Sequence, residues 1–330
     1  MRIGMGRGGS ADAEFLRMCA QIGVQDIVVN NPNIPIRDGK WELVDIFGLR
    51  ANVEASGLKL TAIENTPITM RDHIITGGPK RDEQIENMIA TVRNIARAGI
   101  PIYTYSWKYP RIYRTPLVEI RGGAQATAWD SESDQQASIQ DISIPDHYDL
   151  SRENMWDCLE YWVRAITPVA EEAGIRLGIH PDDPPVPELG GVPRLLGSFD
   201  AYKRLISIVD SPSNAIEFCQ GTFSEMAGAD IYEMIHYFAE RNRVLSVHFR
   251  NVSARVPKFH EEFINTGYVD MKRAMETYDA AGFDGIFMDD HCPLIVGDAD
   301  FPGNWGGYRS RIFAQGYIQA MLEAVTGRRP

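Results

Sequence analysis

Short apolar runs alternate with longer amphipathic stretches from one end of the chain to the other. Eight runs have the length and the apolar content of buried strands, over residues 2–5, 26–30, 60–64, 102–105, 176–180, 215–219, 245–249 and 285–289. Apolar residues at i, i+3 and i+4 predict a helix after each, over residues 11–22, 43–56, 82–98, 152–173, 199–209, 229–240, 270–281 and 308–324. The pattern therefore predicts eight strand–helix units.

Local signals mark the ends of several of these helices. Ser10 is the expected N-cap of the first helix, because it precedes the first apolar-periodic residues. Four helices run into a glycine just before the next strand, at Gly57, Gly99, Gly174 and Gly282. A glycine in this place is the usual signal that ends a helix, so we expect these helices to stop there.

Alternation of strands and helices implies parallel pairing, and eight units favour a closed (β/α)8 TIM barrel. An open doubly wound sheet is the alternative, but it usually has fewer strands and needs a reversal of strand order that the sequence does not show. The 330 residues are interpreted as one barrel domain over residues 1–330. The long non-periodic segment at residues 106–150 follows the fourth strand, where we expect a loop insertion over the active site.

Composition and charge exclude several classes of function. With 44% hydrophobic and 24% charged residues the chain is an ordinary globular protein. Lys and Arg number 33 against 45 Asp and Glu, a net charge of −12 that would repel the phosphates of nucleic acids. The N-terminus lacks a secretory apolar core and no apolar stretch approaches ~18 residues, so we expect a cytoplasmic protein without a membrane partner.

A glycine motif near the N-terminus offers a competing interpretation. Gly4-x-Gly6-x-x-Gly9 lies between a strand and a helix, as in a dinucleotide-binding fingerprint. That fingerprint needs an acidic residue at the end of the second strand, and here the strand ends in Asn30-Asn31. A tight first turn explains the glycines equally well, so nucleotide binding is the less favoured hypothesis.

Polar residues at the carboxyl ends of the predicted strands are the main candidates for chemistry. His180, Cys219, His248 and the pair Asp289-Asp290 end four consecutive strands, so they would project into one mouth. A single buried histidine is more often a hydrogen-bonded core residue. Imidazole, thiolate and carboxylate together instead indicate a divalent transition metal such as Mn, Fe, Co or Zn rather than Ca or Mg.

Cationic and aromatic residues near these strand ends would suit a small anionic substrate. Arg250 is two residues past His248 and is expected on the same side of that strand. Trp107, Tyr113 and Arg114 lie in the long segment. For Trp107 and Tyr113, packing within the loop is an equally good explanation.

Two acidic segments are weaker candidates. Asp182 and Asp183 follow His180 in a proline-rich turn, where they either orient a ligand or are simply solvated. The run His260-Glu261-Glu262 has the composition of a metal cluster. Its predicted position in a loop makes ligation there the less favoured interpretation.

Residues 165–206, which contain GIHPDDPP, and the later motifs EFCQGTF, SVHFRNV, FHEEFINTGYVDM and FMDDHC resemble a known family. The chain is similar here to bacterial mannonate dehydratases of the xylose-isomerase-like barrel type. The resemblance is dense over residues 162–290 and thinner earlier. It implies dehydration of D-mannonate to 2-keto-3-deoxygluconate with Mn²⁺ or Fe²⁺, in the breakdown of hexuronates.

The resemblance also assigns roles by position. The implied metal ligands are His180, Cys219, His248 and Asp290. His291 and Tyr308 are implied as the catalytic acid and base, without a choice of which takes the proton. A tyrosine acting as a base would need a pKa lowered well below ~10.

The chain departs from the family where substrate would bind. Met288 stands where the family has arginine, and Pro32-Asn33 stands where it has two histidines. The exact sugar acid is therefore left open. The candidates for substrate binding are Arg250, Glu64, Asn33, Trp107 and Arg114.

Two other functions compete with a sugar-acid dehydratase. A metal-dependent sugar isomerase or epimerase on the same barrel would need two bases or a hydride path, and Glu64 could supply one base. A relative without activity could bind a sugar through the same metal site. The expected partner is a small anionic sugar acid, and a homo-oligomer is an open alternative to a monomer.

Overall fold

The computed structural model describes residues 1–109, 114–133, 148–298 and 306–328 of the chain. Eight parallel strands close into a barrel, and they span Arg2–Gly8, Asp26–Asn30, Lys59–Glu64, Ile102–Ser106, Arg176–His180, Asn214–Cys219, Val244–His248 and Ile286–Met288. The first strand pairs with the second and also with the eighth, through Gly4 opposite Asp26 and Arg2 opposite Ile286. This closure confirms the predicted TIM barrel and excludes the open sheet.

The eight predicted helices surround the barrel with ends shifted by a few residues. They span Ala13–Gln21, Leu43–Glu54, Arg81–Arg97, Arg152–Ala173, Phe199–Ile208, Ile231–Glu240, Met271–Ala280 and Tyr308–Thr326. Two short helices that the sequence pattern did not indicate are Asp72–Thr76 and Gln220–Glu225. Within the described ranges, no helix combines the length and the apolar content needed to cross a membrane.

The helix-end predictions have a mixed outcome. Ser10 is not the N-cap of the first helix, because the helix begins two residues later and the Asp12 carboxylate accepts the Phe15 N–H at 2.9 Å. The glycine signals are confirmed. Gly57, Gly99, Gly174 and Gly282 all have φ between +69° and +79°, the left-handed region that ends a helix.

One layer of side chains inside the barrel is apolar and forms a compact cluster. The cluster consists of Val28, Ala62, Ile102, Ala215, Leu245, Ile286 and Met288. Glycines of the first strand let the eighth strand approach it: a Cβ on Gly4 would lie 3.0 Å from Ile286 Cγ2, and one on Gly6 would lie 2.8 Å from Met288 Cε. Close packing therefore explains these two glycines of the N-terminal motif.

The segment after the fourth strand is not simply a loop, so that prediction was wrong in part. It contains the strands Thr115–Glu119 and Gln125–Asp130. They join Lys258–Glu262 and Asn251–Val252 in a four-stranded sheet beside the barrel. Gln125–Asp130 pairs with the distant strand Lys258–Glu262 and also with Thr115–Glu119, and local patterning does not reveal the distant partner. Residues 110–113 and 134–147 lie outside the described ranges.

Two pairs of short antiparallel strands complete the described architecture. Ile36–Arg37 pairs with Lys40–Trp41 after the second barrel strand, and Glu188–Leu189 pairs with Val192–Pro193 after the fifth. Both pairs lie in connections that follow the carboxyl ends of barrel strands. That end of a barrel is where its loops build a site.

Candidate active site

Three neighbouring barrel strands bring potential metal ligands together at their carboxyl ends. His180 ends the fifth strand, Cys219 the sixth and His248 the seventh. Their potential ligand atoms all lie within 4.8 Å of one another, and all three side chains are buried. Three of the four predicted ligands therefore form one cluster, which is called the metal cluster below.

His180 is held in the form that ligation requires. Its Nδ1 lies 2.7 Å from the carbonyl oxygen of Pro181, an acceptor only, so Nδ1 carries the proton and Nε2 keeps its lone pair. Burial, reinforced by the positive charge of Lys108, lowers the pKa of His180 well below its ordinary value. The imidazole is therefore neutral.

Cys219 and His248 also fit a cation. The Thr222 hydroxyl donates to Cys219 Sγ at 3.2 Å, a contact that suits a thiolate. Neither ring nitrogen of the buried His248 has a hydrogen-bond partner among the described residues, although Asp290 Oδ2 lies 3.4 Å from Nδ1. Buried nitrogen atoms without partners next to carboxylate oxygens are what a bound divalent metal would satisfy.

Asp290 is the fourth predicted ligand, and the backbone turns it toward the cluster. It follows the eighth strand with φ +64°, which is unusual for a residue other than glycine and common at functional sites. Its Oδ2 lies 4.0 Å from Cys219 Sγ. Asp289 points elsewhere and forms an ion pair with Arg311 at 2.5 Å, so the structure distinguishes the two aspartates.

The metal cluster opens into a cavity of about 760 Å³ with a cationic wall. His180, His248, Asp290 and His291 line it. Four cationic side chains of the described residues also line it: Arg7, Arg71, Lys108 and Arg311. The carboxyl groups of Glu64, Asp183 and Asp290 line it as well, but the four cations outnumber them, and this balance suits a small anionic ligand.

His291 lines the cavity and is oriented by a buried carboxylate. Its Nδ1 lies 2.9 Å from Glu261 Oε1. Burial opposes the charge of Glu261, but the Arg250 guanidinium and the His291 ring hold the pKa of Glu261 below its ordinary value. The ionised carboxylate accepts the Nδ1 proton and fixes the ring, and Nε2 lies 3.6 Å from Asp290 Oδ2.

Glu261 contacts His291 in a way that the sequence pattern did not predict. It lies in the strand Lys258–Glu262, where Phe259 and Glu261 are buried and His260 points to the other face. His260 Nε2 lies 3.1 Å from Glu262 Oε1, away from the metal cluster. In a strand, alternate side chains point to opposite faces, so the apolar residues of FHEEF could have shown that Glu261 is on the buried face and its neighbours His260 and Glu262 are not.

Arg250 lies behind the cavity wall rather than in it. Its Nε donates to Asp290 Oδ2 at 3.1 Å, and its Nη1 donates to Glu261 at 2.7 Å and to Glu225 at 3.0 Å. The side chain is 1% exposed, and Arg250 is not among the described residues that line the cavity. These contacts support a positioning role for Arg250 instead of the predicted contact with substrate.

The other predicted substrate-binding residues are spread over different environments. Glu64 lines the cavity, and burial together with the Glu217 carboxylate raises its pKa to about 8. Arg114 lies behind the wall, 2.6 Å from Asp183 Oδ1, and Trp107 packs in the hydrophobic core. Asn33 is exposed, and its N–H donates to the Gly9 carbonyl at 3.1 Å. Tyr113 lies outside the described residues.

Tyr308 begins the last helix at the edge of the cavity. Gly306 and Arg311, on either side of it in the chain, line the cavity, whereas Tyr308 is not among the described lining residues. Burial, with a smaller contribution from the Asp12 carboxylate, raises the pKa of Tyr308 above its ordinary value. This is opposite to the shift that a catalytic base would need.

Comparisons with known proteins agree with this geometry. A family model described as D-mannonate dehydratase (UxuA) matches residues 1–329. The chain is 31% identical over 352 residues to mannonate dehydratase 2 of Halalkalibacterium halodurans, covering 99% of this chain and 100% of that protein. It is 31% identical to mannonate dehydratase of Streptococcus pneumoniae, covering 92% and 87%.

Solved structures give the same result. The crystal structure of mannonate dehydratase from Streptococcus suis serotype 2 superposes with a TM-score of 0.88 at 30% identity, covering 100% of this chain and 95% of that one. A structure of L-ribulose 3-epimerase superposes with a TM-score of 0.61 at 15% identity, covering 99% and 96%. At that identity the second match supports the xylose-isomerase-like barrel fold and nothing finer.

Proposed function

The chain belongs to the D-mannonate dehydratase family, and we propose that it removes water from D-mannonate to give 2-keto-3-deoxy-D-gluconate. The observation that carries the proposal is the metal cluster of His180, Cys219 and His248 at the base of a cation-lined cavity. Dehydration of a sugar acid needs both features. The cations would bind the anionic carboxylate, and the metal would help with a hydroxyl group that is a poor leaving group.

The cofactor in this proposal is Mn²⁺ or Fe²⁺, held by the metal cluster together with Asp290. Two imidazoles, a thiolate and a carboxylate are typical ligands of first-row transition metals. When bound, the metal would act as a Lewis acid that stabilises negative charge developing on substrate oxygen atoms. The ring nitrogens of His248, each 3.4 Å from a carboxylate oxygen but without a hydrogen bond, support this choice of site.

His291 is proposed as the base that removes the proton from C2 of the sugar acid. Glu261 accepts the proton on Nδ1 at 2.9 Å and so orients the ring, with Nε2 on the side of Asp290 Oδ2 at 3.6 Å. Loss of the C2 proton leaves the electron pair that forms the C2–C3 double bond. A correctly placed acid or base typically accelerates such a step by ~10²–10⁴-fold.

Tyr308 is proposed as the acid that protonates the departing hydroxyl group on C3. Its raised pKa keeps the phenol protonated, which suits a donor and not a base. The C3–O bond breaks and water leaves with the proton from Tyr308. The resulting enol then takes a proton at C3 and loses the proton of its C2 hydroxyl to become the 2-keto acid. These two transfers offset the proton that His291 gained and the proton that Tyr308 lost, so the net change is the loss of one water.

The buried ionic groups behind the cavity are proposed to position the reacting residues. Arg250 contacts both Asp290 and Glu261, and Glu261 in turn orients His291. Because Arg250 does not line the cavity, we assign it no contact with substrate. A single guanidinium thus fixes one proposed metal ligand and one proposed base.

The proposal is tested with metal-depleted protein, D-mannonate and added Mn²⁺ or Fe²⁺. In D₂O, proton NMR should show a 2-keto-3-deoxy acid with deuterium at C3, and chelation should stop its formation. His180→Ala and Cys219→Ala variants should neither retain metal nor form product. Absence of product from D-mannonate and from a panel of other hexonates would refute the dehydratase, whereas an inverted or carbonyl-shifted sugar would support the isomerase or epimerase.

A further inference from the structure

The four cations that line the cavity differ in how far their charge is already satisfied. Arg7 forms an ion pair with Asp12 at 2.7 Å. Arg311 binds both oxygens of Asp289, at 2.5 and 3.1 Å. Arg71 donates to the carbonyl oxygens of Ser106 and Thr66. The fourth, Lys108, is different.

Lys108 is buried and has no partner in the described part of the chain. The residue is 7% exposed, yet no ion pair or hydrogen bond joins its ammonium group to any described side chain or carbonyl. Burial lowers the pKa of Lys108, and the Asp183 and Asp182 carboxylates counteract this only from beyond ion-pair distance. Lys108 lines the cavity, so the contents of the cavity are what can neutralise a charge that has no partner among the described residues.

The barrel places Lys108 next to the metal cluster. The fourth strand ends at Ser106, which pairs in register with His180, and Lys108 follows two residues later. The charge of Lys108 is close enough to contribute to the lowered pKa of His180. On the far side of the barrel mouth the eighth strand ends in Met288, which offers no charge to a ligand.

We propose that Lys108 binds the carboxylate of the sugar acid and so selects acidic over neutral sugars. The ammonium group is a compact donor with three N–H groups, and an incoming carboxylate would supply the partner that the free protein lacks. This inference rests on the proposed function for the kind of ligand, a hexonate. It goes further by assigning the anion to one residue that sequence analysis did not single out.

The test compares ligands that differ only in the carboxylate. Isothermal titration of metal-depleted protein measures binding of D-mannonate, D-gluconate and the neutral D-mannitol, and steady-state assays with Mn²⁺ measure KM and kcat. Lys108→Met should weaken both hexonates by about 10- to 100-fold, the range expected for a charge-assisted hydrogen bond, and should change D-mannitol binding less than twofold. KM should rise more than kcat falls.

Matched variants separate charge from fold. Lys108→Arg should restore most of the hexonate affinity, and Lys272→Met, which removes an exposed lysine paired with Glu276, should leave it unchanged. Lys108→Met should also melt at the same temperature as the wild type or higher, because it removes an unpaired buried charge. A variant that unfolds or melts earlier would show that Lys108 has a structural partner, which would overturn the proposal.

The outcomes also distinguish this inference from the proposed reaction. If the wild type binds hexonates through Lys108 but forms no product, the dehydratase proposal fails and the role of Lys108 stands. If Lys108→Met binds hexonates and D-mannitol with wild-type affinities, the role of Lys108 is excluded even when D-mannonate is a substrate. Tighter binding of a hexose phosphate than of any hexonate would replace the carboxylate with a phosphate and contradict the assignment.

Discussion

Arg250 is the residue on which most of the buried charge converges. Its guanidinium lies within ion-pair distance of Asp183, Glu225, Glu261 and Asp290. Arg114 shares Asp183 and Glu261 with it, and these two guanidinium groups offset the repulsion among the four carboxyl groups in surroundings that exclude water. The sequence pattern predicted that Arg250 binds substrate. Its contacts indicate instead that it holds the surrounding carboxylates in place.

Replacing Arg250 with methionine should therefore affect both folding and the metal. Removal of one partner from a buried ionic network typically costs ~3–5 kcal/mol, so urea unfolding should show a loss of that order. Metal content should also fall, because Asp290 loses the Nε donor at 3.1 Å. Arg255→Met, which removes an exposed arginine, is the control. Wild-type stability together with full metal content would contradict the positioning role.

Glu261 gives a second prediction at the same scale. Glu261→Gln keeps the shape of the side chain but removes the charge that fixes the proton on Nδ1 of His291. We expect kcat to fall by about 100-fold, within the range for a misoriented general base, while metal content stays near that of the wild type. The control is Glu262→Gln on the opposite face of the same strand. A kcat within threefold of the wild type would show that His291 does not depend on Glu261.

At the scale of elements, local sequence patterns predict those helices and strands that local interactions stabilise. The helix Arg152–Ala173 has the predicted bounds, since Ser151 caps it and Gly174 ends it. The strand Gln125–Asp130 was missed because it pairs with Lys258–Glu262, more than a hundred residues away, and Thr115–Glu119 in turn pairs with Gln125–Asp130. The alternation of side chains along a strand predicted that Arg250 lies on the same side as His248, and this was wrong. The strand ends at His248 and the chain turns there, where the Arg250 N–H donates to the His248 carbonyl at 3.0 Å.

The first helix offers a direct test of a local signal. Asp12→Ala removes the side chain that accepts the Phe15 N–H and should cost ~1 kcal/mol of unfolding free energy. The exposed ion pair with Arg7 should add little to that loss. Ser10→Ala should leave urea unfolding unchanged, although the sequence pattern favours Ser10. The reverse ranking of the two variants would show that the helix begins earlier than described.

At the scale of the molecule, the barrel explains why the metal ligands could be predicted and the groups behind them could not. Parallel strands in a closed barrel bring their carboxyl ends to one mouth. His180, Cys219 and His248 therefore lie close together, although many residues separate them in sequence. Glu225 and Glu261 reach the site from a short helix and from a strand outside the barrel. Their positions depend on tertiary packing that sequence periodicity does not encode.

The metal cluster joins the ends of neighbouring strands, so metal binding should stabilise the whole barrel. At 100 times its dissociation constant, a metal that binds only the folded state adds ~2.7 kcal/mol to the free energy of unfolding. Thermal melting of metal-depleted protein should therefore shift upward with Mn²⁺ and much less with Ca²⁺, which prefers oxygen ligands. Cys219→Ala should abolish the shift, whereas Cys158→Ala, a buried cysteine of the helix Arg152–Ala173, should preserve it. Because both variants remove one buried thiol, an equal loss of the shift would mean that the metal is not held by Cys219.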